Sequence, residues 1–229
     1  MKKWLGILAL ALLPHVALAA PAILSFDNPT VDGGTVTYDG AGGALSAANV
    51  IFQQVIGVDT PANAGASLFC YPVPCLLNFT TGDNLTEGPP AYTFAGGGDL
   101  TLTGGLNTAP DGSGAQISPA GTLLAHSGVF ADPSLVLGGG GTSMLFIGVG
   151  EDAKDVTLTD YYGVTGFGFA FANTELSLAN AVFDPTTAAF TATVTDADFA
   201  NTAVPEPGTL LLLGTGLLAA VPLARRVRR

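Results

Sequence analysis

The chain has 229 residues and a formal net charge of −11, with 18 acidic residues against 7 basic ones. Six of the seven bases lie among the first three or the last five residues, so residues 20–203 hold one base, Lys154, against seventeen carboxylates, a formal charge of −16. A surface of that sign repels phosphates and anionic lipids, which excludes nucleic acid as a partner.

The first element is a leader. Lys2 and Lys3 precede an uncharged apolar run from Trp4 to Leu13; Pro14 breaks it, and Ala17-Leu18-Ala19 supplies small residues at alternate positions. That order is a secretory signal peptide, too short for a bilayer-spanning helix, which needs ~20 apolar residues. Cleavage is placed after Ala19; a cut after Ala20 would leave Pro21 first. The Sec translocon and signal peptidase are the partners this implies, and residues 20–203 are the exported domain.

That domain is long enough for one hydrophobic core. Period-two alternation recurs along it, in Leu100-Thr101-Leu102-Thr103, Val156-Thr157-Leu158-Thr159 and Phe190 to Thr195. Each reads as a half-buried strand with threonines outward. Met144-Leu145-Phe146-Ile147 is apolar throughout and reads as a central strand buried on both faces. Phe167, Phe169 and Phe171 line one face of a further strand. Leu176, Leu178, Ala179, Val182 and Phe183 suggest one short helix over 176–183. Turn signals such as Asp32-Gly33-Gly34, Asp39-Gly40, Gly96-Gly97-Gly98 and Asp111-Gly112 separate the runs. The expected class is all-β, a sandwich with jelly-roll or Greek-key connections.

Cys70 and Cys75 are the only cysteines, five positions apart. An exported domain permits a disulfide between them, and the spacing does not suit a redox Cys-x-x-Cys pair. No catalytic constellation stands out. His15 leaves with the leader, so His126 is the one histidine of the domain; its neighbour Ser127 would point to the opposite face of a strand. A structural role is the expectation for His126, and no enzyme activity is expected. Two bridged cysteines and one histidine cannot build a usual zinc site. Calcium takes carboxylates, and Asp196 and Asp198 are the candidates for it; no other cofactor is expected. The run Glu151-Asp152-Ala153-Lys154-Asp155 reads as a solvated acidic turn. Tyr71, Tyr92, Tyr161 and Tyr162 could serve as platforms for a sugar, since Trp4 goes with the leader. Core or edge packing is the expectation for them. The alternatives to a non-enzymatic protein are thus a calcium- or carbohydrate-binding adhesin that contacts extracellular polysaccharide, and a hydrolase using paired carboxylates.

The last element runs from 204 to 229. Val204-Pro205-Glu206-Pro207 is followed by an uncharged stretch, 208–224, and then by Arg225, Arg226, Val227, Arg228 and Arg229. As a helix the stretch would reach ~25 Å, short of the ~30 Å hydrocarbon core, so it reads as a marginal transmembrane segment. The arginines keep the tail cytoplasmic. This three-part ending resembles the PEP-CTERM sorting signal of bacterial exosortase substrates. The resemblance implies a membrane-embedded transpeptidase that recognises Pro205-Glu206-Pro207, cuts near it, and releases or reattaches the domain at the surface. Two prolines keep that motif out of a helix and accessible. Gly34 to Gly40, Leu76 to Gly82 and Phe171 to Glu175 are similar to passages in domains that PEP-CTERM proteins carry. The two terminal signals and the lack of a catalytic constellation together favour a non-enzymatic exported surface or biofilm-matrix protein.

Overall fold

The computed structural model describes residues 22–30, 33–86, 91–130, 134–138 and 144–204. The leader with Ala19 and Ala20 lies outside the described residues. So does everything from Pro205 onward: Glu206, Pro207, the apolar stretch 208–224 and all four arginines. Among the described residues no helix is long and apolar enough to cross a membrane.

Thirteen strands and one short helix make up the described chain. The first half contains β1 (Ala22–Asp27), β2 (Thr35–Tyr38), β3 (Ala44–Phe52), β4 (Gln54–Gly57), β5 (Ser67–Cys70) and β6 (Cys75–Thr86). Then follow β7 (Ala91–Phe94), β8 (Asp99–Asn107), β9 (Gln116–Phe130), β10 (Ser134–Gly138) and β11 (Met144–Lys154). Helix α1 (Val156–Tyr162) precedes the two long closing strands, β12 (Gly168–Phe183) and β13 (Phe190–Val204). The all-β class therefore holds. The ladder is one antiparallel sheet in the order β1-β4-β5-β8-β9-β11-β10-β7-β6-β3-β2-β13-β12, and further pairings β1–β13, β6–β8 and β11–β12 close it on itself.

Alternation places the core as the sequence suggests. Leu100 and Leu102 in β8 are buried, as are Phe190, Ala192 and Val194 in β13, with the threonines between them turned outward. Two groups of rings fill the interior. One is a file in which Phe79, Phe130, Phe171, Phe199, Phe26 and Phe52 contact in turn, with centroids 5.3–6.3 Å apart. The other gathers Tyr38, Tyr92, Phe94 and Phe190, with Tyr38 at its centre. Ring pairs at these separations add ~0.5–1.5 kcal/mol each beyond the area they bury. Gly148 and Gly150 stand on the inward phase of β11, where a Cβ would run into the rings of Phe130 and Phe171; only glycine lets the strand come so close.

Several expectations change. Val156-Thr157-Leu158-Thr159 is the first turn of α1, not a strand. Asp155 caps it, accepting from the backbone N–H groups of Thr157 and Leu158, and Gly163 ends it in the left-handed region at φ 68°. Leu158 and Tyr162, four positions apart, are its buried stripe. Four alternating residues were too few to outweigh a cap at each end. Segment 176–183 is β12, not a helix. A register shift between Ala179 and Val182, with Asn180 at φ 54°, breaks the alternation and gives the apolar residues helix-like spacing. β11 pairs with β9, β10 and β12, but of the run 144–147 only Met144 and Phe146 are buried; Leu145 and Ile147 are half-buried. Phe167 precedes β12 and is 43% exposed, while Phe169 and Phe171 point inward.

Candidate functional site

β13 is the element that presents the C-terminal motif. Its last residues are the final rungs of the β12–β13 ladder, with Ala203 opposite Phe169 and Val204 opposite Gly168. Pro205, the next residue, has no N–H to donate to a ladder. Val204 is half-buried at the sheet's end. Val204, the first residue of the Val-Pro-Glu-Pro run, is the last described residue of β13.

The disulfide expected from spacing is present. Cys70 ends β5 and Cys75 begins β6; their Cα atoms are 5.5 Å apart and the sulfurs are bonded. Tyr71, inside that loop, is 40% exposed and covers Gly112. It lines a groove of about 300 Å³ with Pro72, Asn107 and Gln116. The other tyrosines pack. Tyr92 is buried among the rings. Tyr162 is buried and donates to the carbonyls of Val55 and Ala66 at 2.9 and 3.0 Å, so burial pushes its hydroxyl pKa up. Tyr161 lies edge-on to Tyr162 at 4.9 Å. His126 is exposed on β9, opposite Thr101 and Ala153.

Asp196 and Asp198 both face outward from β13, with Ala197 buried between them. Asp198 is opposite Asp27 of β1 on one side and Glu175 of β12 on the other. Desolvation raises its pKa most; a hydrogen bond from Ser25 opposes this, and the charges of Asp27, Asp196 and Glu175 add to the rise. Among the described residues, no three His, Cys, Asp or Glu side chains are grouped so as to hold a metal ion.

The run 151–155 is not a solvated turn. Its first four residues end β11 and Asp155 caps α1, and the strand's inward phase passes through Phe146, Gly148 and Gly150 to Asp152. The side chains of Asp152 and Lys154 have no solvent exposure and form an ion pair through Asp152 Oδ2. The carboxylate's other oxygen accepts from Asn201 Nδ2 of β13 at 3.0 Å. The Lys154 ammonium lies over three rings, 4.6 Å from the centroid of Phe199, 5.1 Å from Phe26 and 5.8 Å from Phe169. Desolvation lowers its pKa, and the adjacent Asp152 charge only partly offsets that. Sequence reasoning missed this cluster because four charged residues within five positions look solvated. The signal was the phase: counting by twos from Phe146 lands on Asp152 and then Lys154.

Comparison with known proteins bears on the end of the chain. A family model described as the PEP-CTERM protein-sorting motif matches residues 203–229. No curated protein and no solved structure matches the chain. The matched segment starts at the last rungs of β13 and runs through the Pro-Glu-Pro motif, the apolar stretch and the arginines. Such a motif directs a protein to the cell surface through processing by an exosortase, a membrane enzyme. The chain thus carries, from residue 203 at the end of its last strand, a PEP-CTERM protein-sorting motif.

Proposed function

We propose that the protein is a non-enzymatic structural component of the cell surface or extracellular matrix, including biofilm matrix, set in place by exosortase processing. The observation that carries this reading is the junction: the sorting motif begins at residue 203, on the last rungs of an all-β domain's final strand. A domain handed over in that way sits against whatever surface receives it. The exposed position of His126 supports a non-catalytic role, since a general base works from a site where substrate and a second group converge. The leader engages the Sec translocon and signal peptidase, and the apolar stretch 208–224 holds the chain in the membrane until it is cut. The surface charge favours cations and neutral polysaccharide as neighbours over anionic polymers.

The test is peptide mapping of the C-terminus of the mature protein from its native host. The expected mature chain ends near Pro205-Glu206-Pro207 and lacks the segment through Arg229. A mature protein that retains Arg229 would make the stretch a permanent anchor and overturn the exosortase reading.

A further inference from the structure

We propose that Lys154 of β11 and Asn201 of β13 are joined by an intramolecular isopeptide bond, formed within the folded domain with Asp152 as the proton-transfer group. The proposal does not depend on how the C-terminus is processed.

Three observations carry it. The first is placement. An acidic surface would stabilise an exposed lysine, yet the domain's one base has a side chain with no solvent exposure. A buried ion pair is a poor source of stability, because desolvation costs several kcal/mol per ion and offsets the attraction. Its position calls for another role. The second is convergence. One carboxylate holds both reactants: its Oδ2 meets Lys154 Nζ and its Oδ1 accepts from Asn201 Nδ2 at 3.0 Å. The third is an unpartnered acceptor. Asn201 is fully buried, and its Oδ1 has no hydrogen-bond donor.

These groups are a complete set for amide exchange. Proton transfer from the ammonium to the carboxylate replaces two buried charges with two neutral groups, which a dry, ring-lined site favours. The amine so formed is a nucleophile. Desolvation by the surrounding rings works in the same direction on Lys154. A half-turn of the Asn201 amide exchanges its oxygen and nitrogen, and the protonated Asp152 then donates to Oδ1 and polarises the carbonyl. Nζ adds to Cγ, Asp152 relays the proton to Nδ2, the Cγ–Nδ2 bond breaks, and ammonia leaves. One Nζ–Cγ amide forms for each ammonia released, with no oxidant or reductant. Groups held this way react with effective concentrations of ~10⁵ M or more, which offsets the inertness of a carboxamide. Phe26, Phe169 and Phe199 keep out the water that would compete with the amine.

The bond would tie β13 to β11 across the intervening β12. Asn201 is three residues from the end of β13, so the tie sits where the chain leaves the domain. A pull or a protease acting at that end would meet a covalent cross-link before it could strip the last strand.

The test is tandem mass spectrometry of the protein purified after expression of the full chain, shown to be folded by a cooperative melt, then reduced and digested with chymotrypsin. The expected product is a branched peptide containing Lys154 and Asn201, lighter than its two parts by one ammonia, about 17 Da. Recovery of Lys154 and Asn201 on separate unmodified peptides would overturn the proposal. So would a loss of one water, about 18 Da, joining Lys154 to Asp152. The variant Asp152→Asn keeps the shape without the carboxyl and is expected to lack the branched peptide; a cross-link that survives in it would overturn the role of Asp152. If that variant does not fold, the parent's spectrum decides alone.

Discussion

Asp198 shows how neighbours set the behaviour of one surface carboxylate. It is opposite Asp27 and Glu175, with Asp196 two positions away on the same face. Desolvation and these like charges hold its pKa above the ordinary value, against the hydrogen bond from Ser25 at 3.3 Å. The folded state therefore binds this proton more tightly than the unfolded chain, whose value is ~3.9. Stability linked to Asp198 rises as pH falls through its folded pKa and levels off below the unfolded one; at neutral pH the ionised group is a cost. Asp198→Asn keeps an acceptor for Ser25 and removes the charge. The variant is expected to be more stable than the parent at neutral pH, by no more than the ~0.5 kcal/mol usual for surface substitutions. That difference should shrink as the solution is acidified below the ordinary carboxylate range. Urea denaturation at the two pH values measures it, and a variant less stable than the parent at neutral pH would contradict the argument.

Among the elements, α1 is the one that departs from its own alternation, and its caps explain why. Asp155 accepts from two of the four backbone N–H groups that a helix start leaves unsatisfied, and Thr157 Oγ1 also donates to it. Asp155→Ala is expected to cost ~1 kcal/mol, read as a lower urea midpoint with an unchanged m value. A variant as stable as the parent would mean that packing of Leu158 and Tyr162 alone holds the helix. The same element shows what was legible in the sequence. Asp155 and Gly163 bracket the helix and could have been read as an N-cap and a C-cap; Val156 to Thr159 alone could not distinguish helix from strand. Long strands such as β8 and β13 were legible because their alternation persists over enough residues to outweigh local noise. The bulge near Asn180 was not, since a register shift depends on a partner strand far away in the chain. The Cys70–Cys75 bridge was legible from two residues and a compartment. The Lys154–Asp152–Asn201 cluster was not, because Asn201 comes from another strand and four charged residues within five positions conceal the inward phase.

At the scale of the molecule, charge imbalance is the dominant electrostatic fact. Residues 20–203 hold seventeen carboxylates, and the single base is paired in the interior, where it neutralises none of the surface. Folding brings those carboxylates closer together than they are in the unfolded chain, so self-repulsion opposes the compact state. Salt screens it: the Debye length falls from ~30 Å at 0.01 M to ~10 Å at 0.1 M. Sodium chloride is therefore expected to stabilise the protein across that range. A gain of about 1 kcal/mol would raise Tm by ~2–4 °C at this size. The comparison with calcium chloride at equal ionic strength separates screening from binding. The outward carboxylates around Asp198 attract divalent ions diffusely, and among the described residues no three are grouped so as to chelate one. Calcium should then give a Tm close to that in sodium, and EDTA should leave the melt unmoved. A calcium midpoint well above the sodium one, saturating with calcium concentration and reversed by EDTA, would establish a specific site and move the functional reading from a structural surface protein to a calcium-dependent adhesin.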